Sequence, residues 1–180
     1  MKEVKDPIVQ AGAVVLRHTA KSVTQKEFNS RKLKALITKM KKALRNEEYG
    51  VAIAAPQVDV SLRLFLVAGR VFEAESKNEE RAEHVSMEDR VFINPELIRL
   101  SRKKAEMSEG CLSVRGKYGS VLRHERATVR AQDELGNTFT YHGSGLLAQI
   151  FQHEVEHLDG MLFIDKAERL WNDPDLVKND

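Results

Sequence analysis

The 180-residue sequence has one cysteine (Cys111), one tryptophan and four prolines. A single cysteine excludes an internal disulfide and suits a reducing compartment. No apolar run approaches the roughly 20 residues needed to span a bilayer. The first twenty residues lack the apolar core of a secretory signal, and Lys2, Glu3, Lys5 and Asp6 are mixed in sign. Neither sign of charge prevails: 29 Lys and Arg against 27 Asp and Glu leave +2, so charge alone gives no reason to expect nucleic-acid binding. There is no repeat, low-complexity tract or linker. These absences predict one domain over residues 1–180 in the cytoplasm, with no membrane or direct nucleic-acid partner. A processed organellar protein would have the same composition.

Against that background, three kinds of pattern stand out. Thr24-x-x-Glu27 reads as a capping box and Gly50 as a helix stop. Between them Leu33, Leu36, Ile37, Met40 and Leu44 recur at helical spacing, which predicts a long amphipathic helix. Strand-like runs follow at Leu62–Ala68, Val91–Ile93, Leu97–Met107, Ser120–Arg123, Thr128–Gln132 and Thr138–Tyr141, with Gly136-Asn137 turning the last pair. Residues 69–90 are dominated by charged and polar side chains and are expected to form a long hairpin loop. Ser144 and Gly160 bracket a final helix, and 166–180 reads as a short tail. The expected class is α+β: a long N-terminal helix and largely antiparallel strands around a C-terminal helix.

That final helix carries Gln152-His153-Glu154-Val155-Glu156-His157, an HExxH pattern. Residues i and i+4 lie on one helix face, so both imidazoles reach one ion, and Glu154 is placed to handle the proton of a water. A third protein ligand is not given by this pattern. A metzincin-type continuation fails because Phe163 stands where a histidine is needed. Glu168 lies too close to His157 to come from a separate second helix. Cys111 remains a candidate, although a lone cysteine is more often a small buried hydrophobe.

Glu109-Gly110-Cys111-Leu112-Ser113, the Gln152–Gly160 run and Gly50-Val51-Ala52-Ile53-Ala54-Ala55-Pro56-Gln57 occur in the order seen in peptide deformylases. Further similarity lies in Gly12–Arg17, Ile93-Asn94-Pro95-Glu96 and Gly145–Ala148. From about Ile8 to Lys166 the chain resembles that family. The resemblance implies removal of the formyl group from N-formylmethionine of new polypeptides, with a metal-bound water as nucleophile. It implies Cys111, His153 and His157 as ligands of one divalent metal, Fe(II) favoured, with zinc, nickel or cobalt as alternatives. It also implies Glu154 as acid and base, and the Gln57 amide and Leu112 N–H as oxyanion donors. Gly50, Val51, Ala52, Glu109, Gly110, Leu146 and Ile150 would border the peptide.

Three departures are visible. Ala52 replaces the second glycine of the Gly50–Gln57 motif, Glu156 replaces the usual aspartate, and Arg115 and Lys117 suggest a more basic rim. Ala52 and Glu156 motivate a rival reading, a catalytically silent deformylase-like peptide-binding protein. Family members that dock on the ribosome do so through a longer basic C-terminal helix. That segment has no counterpart here, so tethering by that route is not expected.

Overall fold

The computed structural model describes residues 6–76 and 88–173. Helix α1 (Arg31–Arg45) buries the predicted stripe Leu33, Leu36, Ile37, Met40 and Leu44. Its boundaries differ from the expectation. Thr24 N and Oγ1 do donate to Glu27 Oε2, both at 2.8 Å, but they close a separate turn. Asn29, at φ 59°, redirects the backbone after that turn, and Ser30 caps the helix by accepting from Leu33 N at 3.1 Å. The helix stops at Arg45, five residues before Gly50. Gly50 is needed for close packing, since a Cβ there would lie 2.9 Å from that of Glu47.

The strands are β1 (Ala52–Ala54), β2 (Leu64–Val67), β3 (Arg90–Leu100), β4 (Lys104–Gly110), β5 (Lys117–His124), β6 (Arg126–Gln132), β7 (Thr138–Ser144) and β8 (Arg169–Asn172). They form an antiparallel sheet ordered β1-β2-β3-β6-β7 and a second ordered β4-β5-β8. Val91–Ile93 and Leu97 belong to one strand, not two. Asn94, at φ 49°, bends it and shifts the register, and its side chain bonds Val23 and Gln132. The run expected over Leu97–Met107 divides at Ser101–Lys103 between β3 and β4.

Two further expectations are corrected. The charged stretch 69–90 begins with helix α2 (Gly69–Ser76), because Val71 and Phe72 are buried. The Arg90 guanidinium lies 5.0 Å from the Phe72 ring centroid. Residues 77–87 of that stretch, including His84, lie outside the described residues. The supposed tail supplies β8, which pairs with β5 over Lys117–Ser120, while residues 174–180 lie outside the described residues.

Helix α3 (Gly145–Leu158) is anchored by the stripe Leu147, Phe151, Val155 and Leu158, all buried. Phe151 packs 5.3 Å from Phe92, which stacks on Phe65 at 4.8 Å. Gly143 permits this approach, since a Cβ there would lie 2.9 Å from the Phe151 ring. The Gln152 amide accepts from His124 N and donates to His124 O, each at 2.9 Å, tying α3 to β5. Gly160, at φ 79°, ends the helical run, and Met161 N returns to Glu156 O.

Candidate metal centre

Helix α3 presents His153 and His157 one turn apart, and the turn after β4 brings up Cys111. The Cys111 sulfur and one nitrogen of each imidazole lie within 4.8 Å of one another. Cys111 Sγ stands 3.1 Å from His157 Nε2, and Ser113 N donates to the same sulfur at 3.4 Å. His153 Nδ1 meets Glu109 Oε2 at 2.9 Å, which leaves Nε2 for the site. Phe163, where a protease would carry its third histidine, is buried with its ring 6.3 Å from that of His153.

The donor chemistry fits a divalent cation. One thiol and two imidazoles form a set that binds zinc, iron, nickel or cobalt. Burial drives His157 well below the ordinary histidine pKa, leaving the neutral form that ligands require. Burial opposes a charge on His153, yet the Cys111 sulfur and the Glu109 carboxylate raise its affinity for a proton. The same field favours a cation. Glu154 is buried, and burial pushes its pKa up to about 7. One of its carboxylate oxygens has no hydrogen-bond partner among the described residues.

Gln57 sits on the 3₁₀ turn Ala55–Val58 that follows β1. Its Oε1 accepts from Ala54 N at 2.8 Å, which orients the amide so that Nε2 points to Ser113 Oγ at 3.2 Å and Cys111 Sγ at 3.5 Å. Leu112 lies beside it, its carbonyl accepting from Gln10 Nε2 at 3.2 Å. Gln57, Leu112, Cys111, His153 and Glu154 line one cavity of about 650 Å³ together with Gly50, Val51, Ala52, Glu109, Gly110, Leu146 and Ile150. His157 is buried behind it. Of the two apolar residues that precede the histidines on this face of α3, Ile150 is buried and Leu146 half-exposed at the cavity. Ala52 is only 7% exposed and belongs to the aromatic core cluster, so its added methyl is largely taken up by the protein's own packing.

Several residues that sequence reasoning passed over complete the site. Arg123 grips Glu109 with two bonds, Nε to Oε1 at 2.6 Å and Nη2 to Oε2 at 2.9 Å, and reaches Glu156 Oε1 with Nη1 at 2.6 Å. Lys166 also donates to Glu156 Oε1, and Gln149 donates to Glu109 at 3.3 Å. A chain of contacts therefore runs Lys166–Glu156–Arg123–Glu109–His153. The Glu109 carboxylate, at the cavity wall, orients His153. The longer arm of Glu156 still reaches Arg123. The signal in the sequence was an arginine one position in two from Val121 on an inward strand face, which requires buried acids nearby. The basic rim expected from Arg115 is also corrected: its guanidinium forks onto Glu47 at 2.7 and 3.1 Å and reaches Asp6 at 3.0 Å.

Arg123 and Glu109 are each about 3% exposed or less in their side chains. Arg123→Met strands a buried carboxylate and is expected to cost about 3–5 kcal/mol, read from the urea midpoint. Burial alone would raise Glu109, but Arg123 and His153 hold it down at about 2 from an ordinary 4.5. Its stabilising contribution is therefore full above pH 4.5 and lost as pH falls toward 2. In Arg123→Met, that acid loss begins at higher pH.

A family model described as polypeptide deformylase matches residues 5–172. A peptide deformylase of Christiangramia forsetii is 37% identical over 165 residues, covering 91% of this chain and 82% of that one. One from Heliobacterium modesticaldum is 39% identical, covering 89% and 93%. Among solved structures, the Met-Ala-Ser-bound class I type b peptide deformylase of Acinetobacter baumannii superposes with a TM-score of 0.75 at 32% identity. That alignment covers 89% of this chain and 96% of the other.

Proposed function

The chain belongs to the polypeptide deformylase family, and from that premise we propose that it removes the N-formyl group from N-formylmethionine at the start of new polypeptides. The observation that carries this reading is the convergence of Cys111, His153 and His157 with a buried carboxylate, Glu154, and an oriented amide, Gln57, around one cavity.

Cys111, His153 and His157 would hold one divalent cation, with Fe(II) favoured by the family resemblance and nickel, cobalt or zinc compatible with the same donors. When bound, the cation supplies a water acidic enough to lose its proton near neutral pH and polarises the formyl oxygen. Glu154 takes that proton and returns it to the leaving amine; burial places its affinity near the working pH, as such a role requires. As the formyl carbon becomes tetrahedral, the Gln57 amide and the Leu112 N–H donate to the developing oxyanion. Each such donor is commonly worth about 3–4 kcal/mol. Ala54 N fixes the carbonyl end of Gln57, so Nε2 need only exchange its contact with Cys111 Sγ or Ser113 Oγ for one with the oxyanion. Leu146, Ile150 and Val51 offer the apolar wall for the methionine side chain, and Gly50–Ala52 the backbone against which the peptide lies.

The Met-Ala-Ser seen in the Acinetobacter baumannii structure supports a peptide as the ligand of such a cavity. A thiol that must remain reduced accords with a cytoplasmic setting. Among the described residues no helix is long and apolar enough to cross a membrane. Anaerobic assay of the Fe(II)-loaded protein on formyl-Met-Ala-Ser, with metal analysis, is expected to show formate release at stoichiometric metal. Full metal with no turnover would leave a peptide binder and overturn the proposal.

A further inference from the structure

Three large apolar side chains that the fold leaves exposed gather on one cavity: Tyr49 at 86%, Leu146 at 49% and Tyr118 at 37%. Scattered exposed apolar residues carry no message, but a group at a cavity mouth marks a binding surface. Tyr118 is held in place against β4: a Cβ on Gly110 would lie 2.8 Å from its ring. Directly across the ladder from Tyr118 stands Trp171 of β8, 41% exposed. Residues directly opposed in a ladder share a face, so both aromatics lie on the outer face of the β4-β5-β8 sheet. The inner face carries Val121 and Arg123, which are buried, and Arg123 bonds α3 through Glu156.

Strand β4 lies at the edge of that sheet, and its last three residues, Ser108 to Gly110, line the cavity. An extended peptide passing this edge turns successive side chains to opposite faces. A methionine side chain directed toward α3, at Leu146 and Ile150, sends the next side chain toward the outer face, where Tyr118 and Trp171 lie. The segment after α1 adds Tyr49. Charge offers no competing preference. Arg115 is committed to Glu47 and Asp6, and the other charged residues at the mouth, Glu48, Lys117 and Asp173, are of both signs. The Arg115–Glu47 fork also joins the segment bearing Tyr49 to the loop leading to Tyr118, which sets their spacing.

We infer that the protein selects a bulky apolar or aromatic residue directly after the methionine, with Tyr118 the principal specificity-determining residue and Trp171 and Tyr49 beside it. This rests on the deformylase reading of the site. For the Fe(II)-loaded protein, kcat/KM on formyl-Met-Phe-Ser is expected to exceed that on formyl-Met-Ala-Ser by about 5- to 10-fold, mainly through KM. The ratio should hold between roughly 0.05 and 0.5 M salt, as apolar selection is not screened. Tyr118→Ala is expected to bring the Phe-to-Ala ratio within about 2-fold, and Tyr118→Phe to keep it. A ratio measured on one preparation is unaffected by any loss of folded enzyme. Absence of a preference in the wild type, its survival in Tyr118→Ala, or a preference for formyl-Met-Asp-Ser that fades with salt overturns the inference. No turnover on any of the peptides overturns the deformylase reading, and the inference with it.

Discussion

Glu154→Gln is expected to lower turnover on formyl-Met-Ala-Ser by at least roughly 10²–10⁴-fold while metal content stays stoichiometric. Glutamine keeps the size and the hydrogen-bonding shape of the side chain but cannot accept the proton. Glu154 is also buried, with one oxygen unpartnered among the described residues, so no other structural duty of that oxygen is lost. Burial in fact disfavours its charge, and the neutral amide should therefore fold at least as well. Metal analysis and a thermal melt on the same sample separate the outcomes. Near-normal turnover in the folded, metal-loaded variant would remove Glu154 from the chemistry.

Cys111→Ala is expected to abolish both metal retention and activity, with metal loss preceding any unfolding. Cys111 is the one ligand supplied from outside α3, so removing it leaves two imidazoles on a single helix face. Two ligands do not hold a cation against competition from water and buffer. The sulfur also accepts from Ser113 N and Gln57 Nε2, so the variant additionally loosens the donor amide. Cys111→Ser separates these effects, since it retains a hydrogen-bond acceptor but is a poorer ligand for these metals. Full metal occupancy and turnover in the alanine variant would sink the ligand assignment.

The α+β class, the long amphipathic helix and the helix bearing the two histidines were legible because periodicity reports which face is buried. The stripe Leu33 to Leu44 needed no partner to be visible. Boundaries were less so. Thr24 and Glu27 form the bonds of a capping box, yet Asn29 in the left-handed region separates them from the helix. Val71 and Phe72 were hidden in charged surroundings, and two buried side chains outweighed them to form α2. The joining of Val91–Ile93 to Leu97 depended on Asn94 reaching Val23 and Gln132, both distant in the chain.

By itself the sequence determined the chemistry available: two histidines four apart, a glutamate between them, one thiol and a short motif around Gln57. Those depend on residue type and local spacing, which the chain states directly. The tertiary structure decided how they are held. It set Glu109 against His153, satisfied Arg115 with Glu47 and Asp6, and placed Arg123 between Glu109 and Glu156. A buried charge takes whichever opposite charge folding brings within about 3 Å, and those partners come from remote segments that no local pattern connects.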